Sequence, residues 1–536
     1  MSTLINQVQQ YISNNQLEKA LNLTSKLLAD QPENLIWIKF LSHIYGLKEN
    51  FQESIKIIEK AITKHPDDFD LCNNLGFYFF KIADVKNSKK YIKKAMEIDP
   101  SSPAPYHNSA ELHILLRDFN QAEKDINRCI KFYSENIEDY HVYGSSLLIK
   151  VQILIAQKKS DEDCHFIKAY LNKSFHSELF LQLVQIDKSL VTPSLLIKCQ
   201  ELVKKNTFHS HLEKFQYLVP LYFALANYYE KTDEVLSDEF YVSANKEIFS
   251  IQRLNLMDFQ RQQLKIMKTF DAIKSLNVEQ SGTGSCNIFI VGQPRSGTTL
   301  LESLVTANEE VFPGGELSIL SNGLKKFLYP KENLEPADLK NVGEEYEKLT
   351  WDIKGSYSKI VDKMPANSSY VGYILKCLPQ AKIILLLRNP WDVAISLFKQ
   401  RYVTNISYSS SFFNIGVQMA NFEASILYYR QKSDLAMDNI LEIRYEDLVS
   451  DIDHKRQEVY NFCQISSSYD EVKREGFFAK TASMNQVQKK IHQKSLKKNN
   501  FISFKDEFVG ALQSQRNYWR TKSIDIPEKF FGYSLD

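Results

Sequence analysis

The chain reads as an α-helical solenoid followed by an α/β domain built on a parallel sheet. Pro32, Pro66 and Pro100 stand 34 residues apart, and each closes a helical pattern. At 275–287 the composition shifts abruptly to SLNVEQSGTGSCN, rich in Ser, Gly and Asn. Beyond it, short apolar runs alternate with helical segments, the pattern of strands buried on both faces.

In IWIKFLSHIYGLKENFQESIKIIEKAITKHPDD and LCNNLGFYFFKIADVKNSKKYIKKAMEIDPSS, apolar residues recur at three and four positions on two helices separated by a polar turn. Each unit is a helical hairpin. Leu27, Ala61, Ala95 and Cys129 keep the 34-residue step, and small residues such as Gly76 fall where two helices approach closely. The proline stops the second helix before the next hairpin begins. This pattern resembles the tetratricopeptide repeat. Four repeats phase at about 1–34, 35–68, 69–102 and 103–136, with Tyr140 and Gly144 suggesting a degenerate fifth. Stacked hairpins form a concave surface. Either the array only enlarges the fold, or its groove takes a protein or peptide acceptor or partner. Asn73, Asn74 and Asn108 are the polar positions that could face that groove. The expected division is a repeat array over 1–150, worn helical repeats over 151–274, a linker at 275–287 and an α/β domain over 288–536.

Lys and Arg number 66 against 65 Asp and Glu, a balance that supplies no field to attract nucleic acid or an anionic membrane. Any anion site is therefore local. The seven Cys are dispersed without a CxxC pair, which reads as reduced thiols. No stretch of 18 uninterrupted apolar residues occurs, so the expectation is a cytoplasmic protein that binds neither membrane nor nucleic acid. The 28 Tyr and 33 Phe are explained by packing in a large core.

Four runs are the candidate strands: IFIVG, SKIVDK, AKIILLLR and ILEIRYEDL. The first leads directly into QPRSGTTLLESLV, giving strand, glycine-containing loop and helix. Backbone N–H groups of such a corner converge on one point, where the helix dipole also favours negative charge. Compared with GxxxxGK[ST], the loop has Gly292 and Gly297 at the right spacing but Thr298 in place of the lysine. No strand is expected to end in an Asp that could hold magnesium, so a metal-dependent nucleotide kinase is disfavoured and no metal site is predicted. Arg295 can offer a planar fork of donors to an anionic leaving group instead. The second corner is AKIILLLRNPWDVAISLF, where Arg388 ends a strand and Ser396 lies eight residues on, within a helix. Ligands of open parallel sheets bind at this edge.

PRSGTTL followed by RNPWDVAISLF resembles the two nucleotide-binding elements of the sulfotransferase superfamily. The stretch 288–536 looks like the branch that holds the tyrosylprotein sulfotransferases and the bacterial tetratricopeptide-repeat sulfotransferases. The resemblance implies a three-layer, P-loop-like parallel sheet and 3′-phosphoadenosine 5′-phosphosulfate as co-substrate. By resemblance, Pro294, Arg295, Ser296, Gly297, Thr298 and Thr299 bind the 5′-phosphosulfate, while Arg388 and Ser396 bind the 3′-phosphate. Glu316 in FPGGEL matches the general base, and Lys363 in VDKMP matches the lysine facing the sulfuryl group. With Arg295 they form the implied catalytic set. From 212 to 453 there is no histidine, so a carboxylate is the natural base. Ser483 in TASMNQV and Lys498 complete the implied nucleotide contacts, although Lys490 replaces the usual proline, Asn499 the usual tryptophan, and a neighbouring lysine could replace Lys498. RYEDL reads as support for the sheet edge through Tyr445 and Asp447. YVTNISYSSSFFN is either a flap or an aromatic-rich connection. The acceptor hydroxyl stays open between a protein or peptide tyrosine, a glycan and a small molecule. An interaction scaffold with an inactive sulfotransferase domain is the alternative.

Overall fold

The computed structural model describes residues 2–135, 140–157, 160–208, 210–251, 255–274, 283–328, 335–402, 406–432, 435–478 and 501–533. They divide into two compact units: Met1–Ile153 with Lys348–Gly355, and Leu154–Glu347 with Ser356–Asp536.

The first unit holds four helical hairpins in the predicted phase: Ser2–Ser13 with Leu17–Asp30, Leu35–Leu47 with Phe51–Ile62, Phe69–Lys81 with Val85–Ile98, and Ala104–Leu115 with Phe119–Glu135. The repeat is visible at three levels. In the backbone, Asn15, Glu49, Ala83 and Arg117 all take positive φ between the two helices of a hairpin, at an unbroken step of 34 residues. At the caps, Asn50, Asp84 and Asp118 keep that step, each side chain accepting an N–H three residues on. In the core, Ala20, Ser54, Ser88 and Ala122 are fully buried. The Ser54 hydroxyl donates to the carbonyl of Ser42 (2.9 Å) and Ser88 to that of Gly76 (2.8 Å), so each buried hydroxyl is satisfied by a carbonyl of the other helix of its hairpin. Asn108 Nδ2 donates to Asn73 Oδ1 at 3.0 Å, so two of the polar positions read as groove candidates hold each other.

The second unit is built around a five-stranded parallel sheet: β1 Asn287–Gly292, β2 Val311–Pro313, β3 Lys359–Asp362, β4 Lys382–Leu387 and β5 Ile440–Arg444. Their order is β2-β3-β1-β4-β5. Each of the four predicted runs contains a strand, but ILEIRYEDL is extended only to Arg444 and turns helical over Tyr445–Ser450. The three-residue β2 was not expected, because its apolar run is too short to carry a period. Phe289 stands beside Asp362 of β3, and Gly292 beside Leu386 of β4. The chain leaves β1 towards β2 and β3, then crosses to β4 on the other side, so the order reverses at β1.

The helices between Leu154 and Lys274 cluster with the sheet, so this unit begins well before the Ser/Gly-rich stretch at 275–287. Asn245 Nδ2 donates to the Phe398 carbonyl (2.8 Å), Gln263 Nε2 to Ser425 Oγ (2.5 Å), and Tyr373 OH to the Ile266 carbonyl (2.7 Å). These buried polar contacts fix the helices Glu234–Ile251 and Leu256–Lys274 to the layer that covers the sheet. Among the described residues no helix is long and apolar enough to cross a membrane.

Candidate active site

At the C-terminal edge of the sheet, β1 and β4 lie side by side and both of their following corners open on the same edge. After β1 the chain turns tightly, with Ser296 N–H donating to the Gln293 carbonyl at 3.1 Å, and enters the helix Thr298–Val305. Arg295 holds φ +71° and Gly297 φ +103°. The glycine is required twice over: a Cβ there would lie 2.4 Å from Cδ2 of Tyr445, and the backbone is left-handed. Among the described residues no side chain caps the helix, and the Ser296 hydroxyl is buried without a hydrogen-bond partner. Thr298 and Thr299 are buried in its first turn. An uncapped N-terminus beside an unsatisfied hydroxyl is a cradle for an anion's oxygens.

After β4, Asn389 caps the helix Pro390–Phe398 by accepting from the N–H groups of Trp391 (3.0 Å) and Asp392 (3.2 Å). This turn aims both predicted residues back at the first corner. Arg295 Nε donates to Ser396 Oγ at 3.0 Å, and Arg388 Nη1 donates to the Arg295 carbonyl at 3.1 Å. The Arg388 guanidinium stacks 4.4 Å from the Tyr445 ring centroid. Burial pulls the Arg295 guanidinium below its ordinary range, and the neighbouring Arg388 charge adds to that pull. Two guanidinium groups gathered over a helix N-terminus make a strongly electropositive corner.

Lys363 follows β3 and is 1% exposed, its ammonium donating to Glu316 Oε1 at 2.6 Å. The Gly314–Gly315 backbone that carries Glu316 is clamped from three sides. Gly314 N–H donates to the Val361 carbonyl (3.0 Å), Lys363 N–H donates to the Gly315 carbonyl (2.8 Å), and Gly315 N–H donates to Glu302 Oε1 (3.0 Å). Glu302 sits in the helix Thr298–Val305, so that helix also positions the Glu316 loop. It is the one acidic residue in the run TTLLESLV, which is buried along its whole length; that mismatch was the available signal for it.

β3 ends on Asp362, which corrects the expectation that no strand would end in an Asp. Its carboxylate accepts from Tyr346 OH (2.9 Å) and, at 3.4 Å, from Leu317 N–H. Burial pushes the Asp362 carboxyl up to about 8, with Glu302 adding to the rise and Tyr346, Leu317 and Lys363 opposing it. The folded chain therefore keeps a proton that the unfolded chain releases near its ordinary value of 3.8. Unfolding free energy is expected to fall as pH rises through this window, by up to about 1.4 kcal/mol per pH unit. Asp362→Asn, which imitates the protonated acid, should flatten the dependence; denaturant midpoints at several pH values for both proteins would check it.

The structure thus joins Arg295, Arg388 and Ser396 in one group and Glu316 with Lys363 in another. Tyr402 lies within electrostatic reach of both Arg295 and Glu316. Tyr445 differs from its reading as a support of the sheet edge: it packs under Arg388 and against Gly297, at the cradle itself. Its neighbour Glu446 accepts from Asn389 N–H at 3.0 Å. Ser483 and Lys498 lie outside the described residues. Among the described residues no group of three or more His, Cys, Asp and Glu is placed to hold a metal ion.

Residues 287–471 match the sulfotransferase family, and residues 1–147 match the ChAPs family of Chs5p-Arf1p-binding proteins. An uncharacterized protein of Aquifex aeolicus is 27% identical over 486 residues, covering 79% of this chain and 62% of its own length. A protein-tyrosine sulfotransferase of Drosophila melanogaster is 23% identical over 190 residues, 33% of this chain and 38% of its own. The chain therefore spans less than two thirds of the length of either relative. Among solved structures, the sulfotransferase domain of the Synechococcus PCC 7002 olefin synthase covers 47% of this chain and 99% of its own at 19% identity, with a TM-score of 0.31. A mouse sulfotransferase complexed with PAP covers 48% of this chain and 93% of its own at 16% identity, with a TM-score of 0.28.

Proposed function

We propose that the sulfotransferase domain of this chain moves a sulfuryl group from 3′-phosphoadenosine 5′-phosphosulfate to an acceptor hydroxyl by in-line displacement without a metal. The observation that carries this reading is the meeting of Arg295, Arg388 and Ser396 where β1 and β4 end. A nucleotide charged at both ends needs two anion sites at one sheet edge. The buried, unsatisfied Ser296 hydroxyl and the uncapped helix fit the 5′-phosphosulfate, with Pro294, Gly297, Thr298 and Thr299 shaping the loop. Arg388 and Ser396 take the 3′-phosphate. Ser483 and Lys498, outside the described residues, are the further nucleotide-binding residues that the resemblance implies.

Negative charge grows on the bridging oxygen as the sulfur–oxygen bond to the phosphate breaks, and Arg295 and Lys363 stabilise it. Glu316 accepts the acceptor's proton; its side chain is 41% exposed, so an incoming hydroxyl can reach it. The acceptor class we favour is a protein or peptide tyrosine, in keeping with the name of the Drosophila relative. The helical repeats would hold that acceptor or a partner protein, and the cytoplasm is the proposed compartment.

Calorimetric titration of the full chain with 3′-phosphoadenosine 5′-phosphate, and separately with ATP and magnesium, tests the donor assignment. Submillimolar binding of the first alone is the expected result. Binding of ATP with magnesium alone would replace the reading with a kinase, and binding of neither would leave an interaction scaffold.

A further inference from the structure

Tyr402 has no assigned task in the reaction, yet its surroundings are those of a reacting group. Its hydroxyl is buried and has no hydrogen-bond partner among the described residues. It also lies within electrostatic reach of both Arg295 and Glu316, and its burial holds the phenol well above its ordinary range, so that it stays protonated. A buried O–H without an acceptor is costly to leave unmade. The fold nevertheless fixes it there. Arg401, next in the chain, is ion-paired to Glu178 of the helix Ser177–Ile186 at 2.7 Å, with a side chain 7% exposed. Its guanidinium lies 5.6 Å from the ring centroid of Phe215, which sits on the π-helical turn Lys214–Leu218. Lys399 is tied to Glu230 at 3.3 Å. The helices ahead of the sheet thus anchor both residues that flank Gln400, immediately before the tyrosine.

We infer that Tyr402 is a catalytic residue that donates a hydrogen bond to a non-bridging oxygen of the sulfuryl group in transit. The inference rests on the donor assignment proposed above. In an in-line displacement the acceptor oxygen, the sulfur and the leaving oxygen are collinear, and the three remaining sulfuryl oxygens point sideways. A buried, unpartnered hydroxyl close enough to feel both the base (Glu316) and the leaving-end cation (Arg295) can serve those sideways oxygens. A neutral donor suits them, since it binds an anionic oxygen without neutralising the electrophile. In the step, the acceptor O–S bond forms while the S–O bond to the 5′-phosphate breaks. The electron pair of the broken bond stays on the phosphate oxygen, the acceptor's proton passes to Glu316, and Tyr402 keeps its own.

The test compares two nucleotides that differ only in the sulfuryl group. Dissociation constants of 3′-phosphoadenosine 5′-phosphosulfate and of 3′-phosphoadenosine 5′-phosphate are measured for the wild-type full chain and for Tyr402→Phe. The expected result is a loss of about tenfold in affinity for the sulfated donor alone, with the desulfated product bound as in wild type. Product binding itself reports that the variant is folded. Equal weakening of both nucleotides, or no change in either, would overturn the role for Tyr402 while leaving the donor assignment standing. Failure of the wild-type chain to bind either nucleotide would remove the donor assignment, and this inference with it.

Discussion

Replacing Lys363 with methionine is expected to leave the chain folded and to cut the proposed sulfuryl transfer by about a hundredfold or more. Methionine retains an unbranched stem of similar length, so the fully buried volume stays filled and the stability change is small. What disappears is the only charge on that stem. The ammonium donates to Glu316 at 2.6 Å, so its removal acts on both halves of the proposed reaction. The leaving phosphate oxygen loses a cation, and the base loses the contact that orients it. Because the Glu316 side chain is partly exposed, water solvates the released carboxylate and no large folding penalty accompanies the change. Affinity for 3′-phosphoadenosine 5′-phosphate should fall much less than the rate, since Arg295, Arg388 and Ser396 still hold that nucleotide while the orientation of Glu316 is lost for the transfer step alone. Rates of label transfer from a radiolabelled donor, set beside the product dissociation constant, separate the two effects. Equal losses in rate and product affinity would mean that Lys363 shapes the pocket instead of acting on the transferring group.

The residues whose role follows from local chemistry are legible in the sequence. Arg295, Gly297, Arg388 and Ser396 sit in two strand-to-helix corners, and a short apolar run followed by a loop and an amphipathic helix declares such a corner on its own. Their mutual contact was not legible, because it depends on β1 and β4 becoming neighbours, which only the strand order decides. Glu302, Asp362 and Tyr346 act across the sheet by the same non-local logic. In the repeats, prolines announced the period, whereas the four left-handed residues at 15, 49, 83 and 117 did not, because none is glycine and each differs from the others in chemistry. Tyr402 escaped for another reason: it falls in a stretch without periodicity, where an aromatic residue reads as packing. Its meaning comes from an absent partner, and satisfaction of a hydroxyl is a property of the folded state alone.

Removing Arg516 is expected to cost about 3–5 kcal/mol in stability. The helices Phe412–Arg430 and Lys505–Arg520 pack so closely that a Cβ on Gly416 would lie 2.5 Å from the Phe508 carbonyl. Between them Arg516 meets Glu423 through two parallel bonds, Nε to Oε2 and Nη2 to Oε1, both 2.7 Å, with side chains 6% and 1% exposed. The same guanidinium donates to the Glu528 carbonyl at 3.2 Å, so it also fastens the chain beyond the helix. Burial pushes the Glu423 carboxyl up, and Arg516 opposes that rise by hydrogen bonding and by charge. Arg516→Leu leaves the carboxylate buried with its desolvation uncompensated. The orphaned acid should then take up a proton in the folded state, so the variant's deficit is larger at pH 7.5 than at pH 5, where protonation relieves it. Replacing both residues, Glu423→Leu with Arg516→Leu, removes the charge along with its partner and should recover most of the loss. Denaturant midpoints for the two variants at both pH values decide the matter: a double variant as unstable as the single one would show that the helices are held by the Glu528 contact and the surrounding packing, and not by the ion pair.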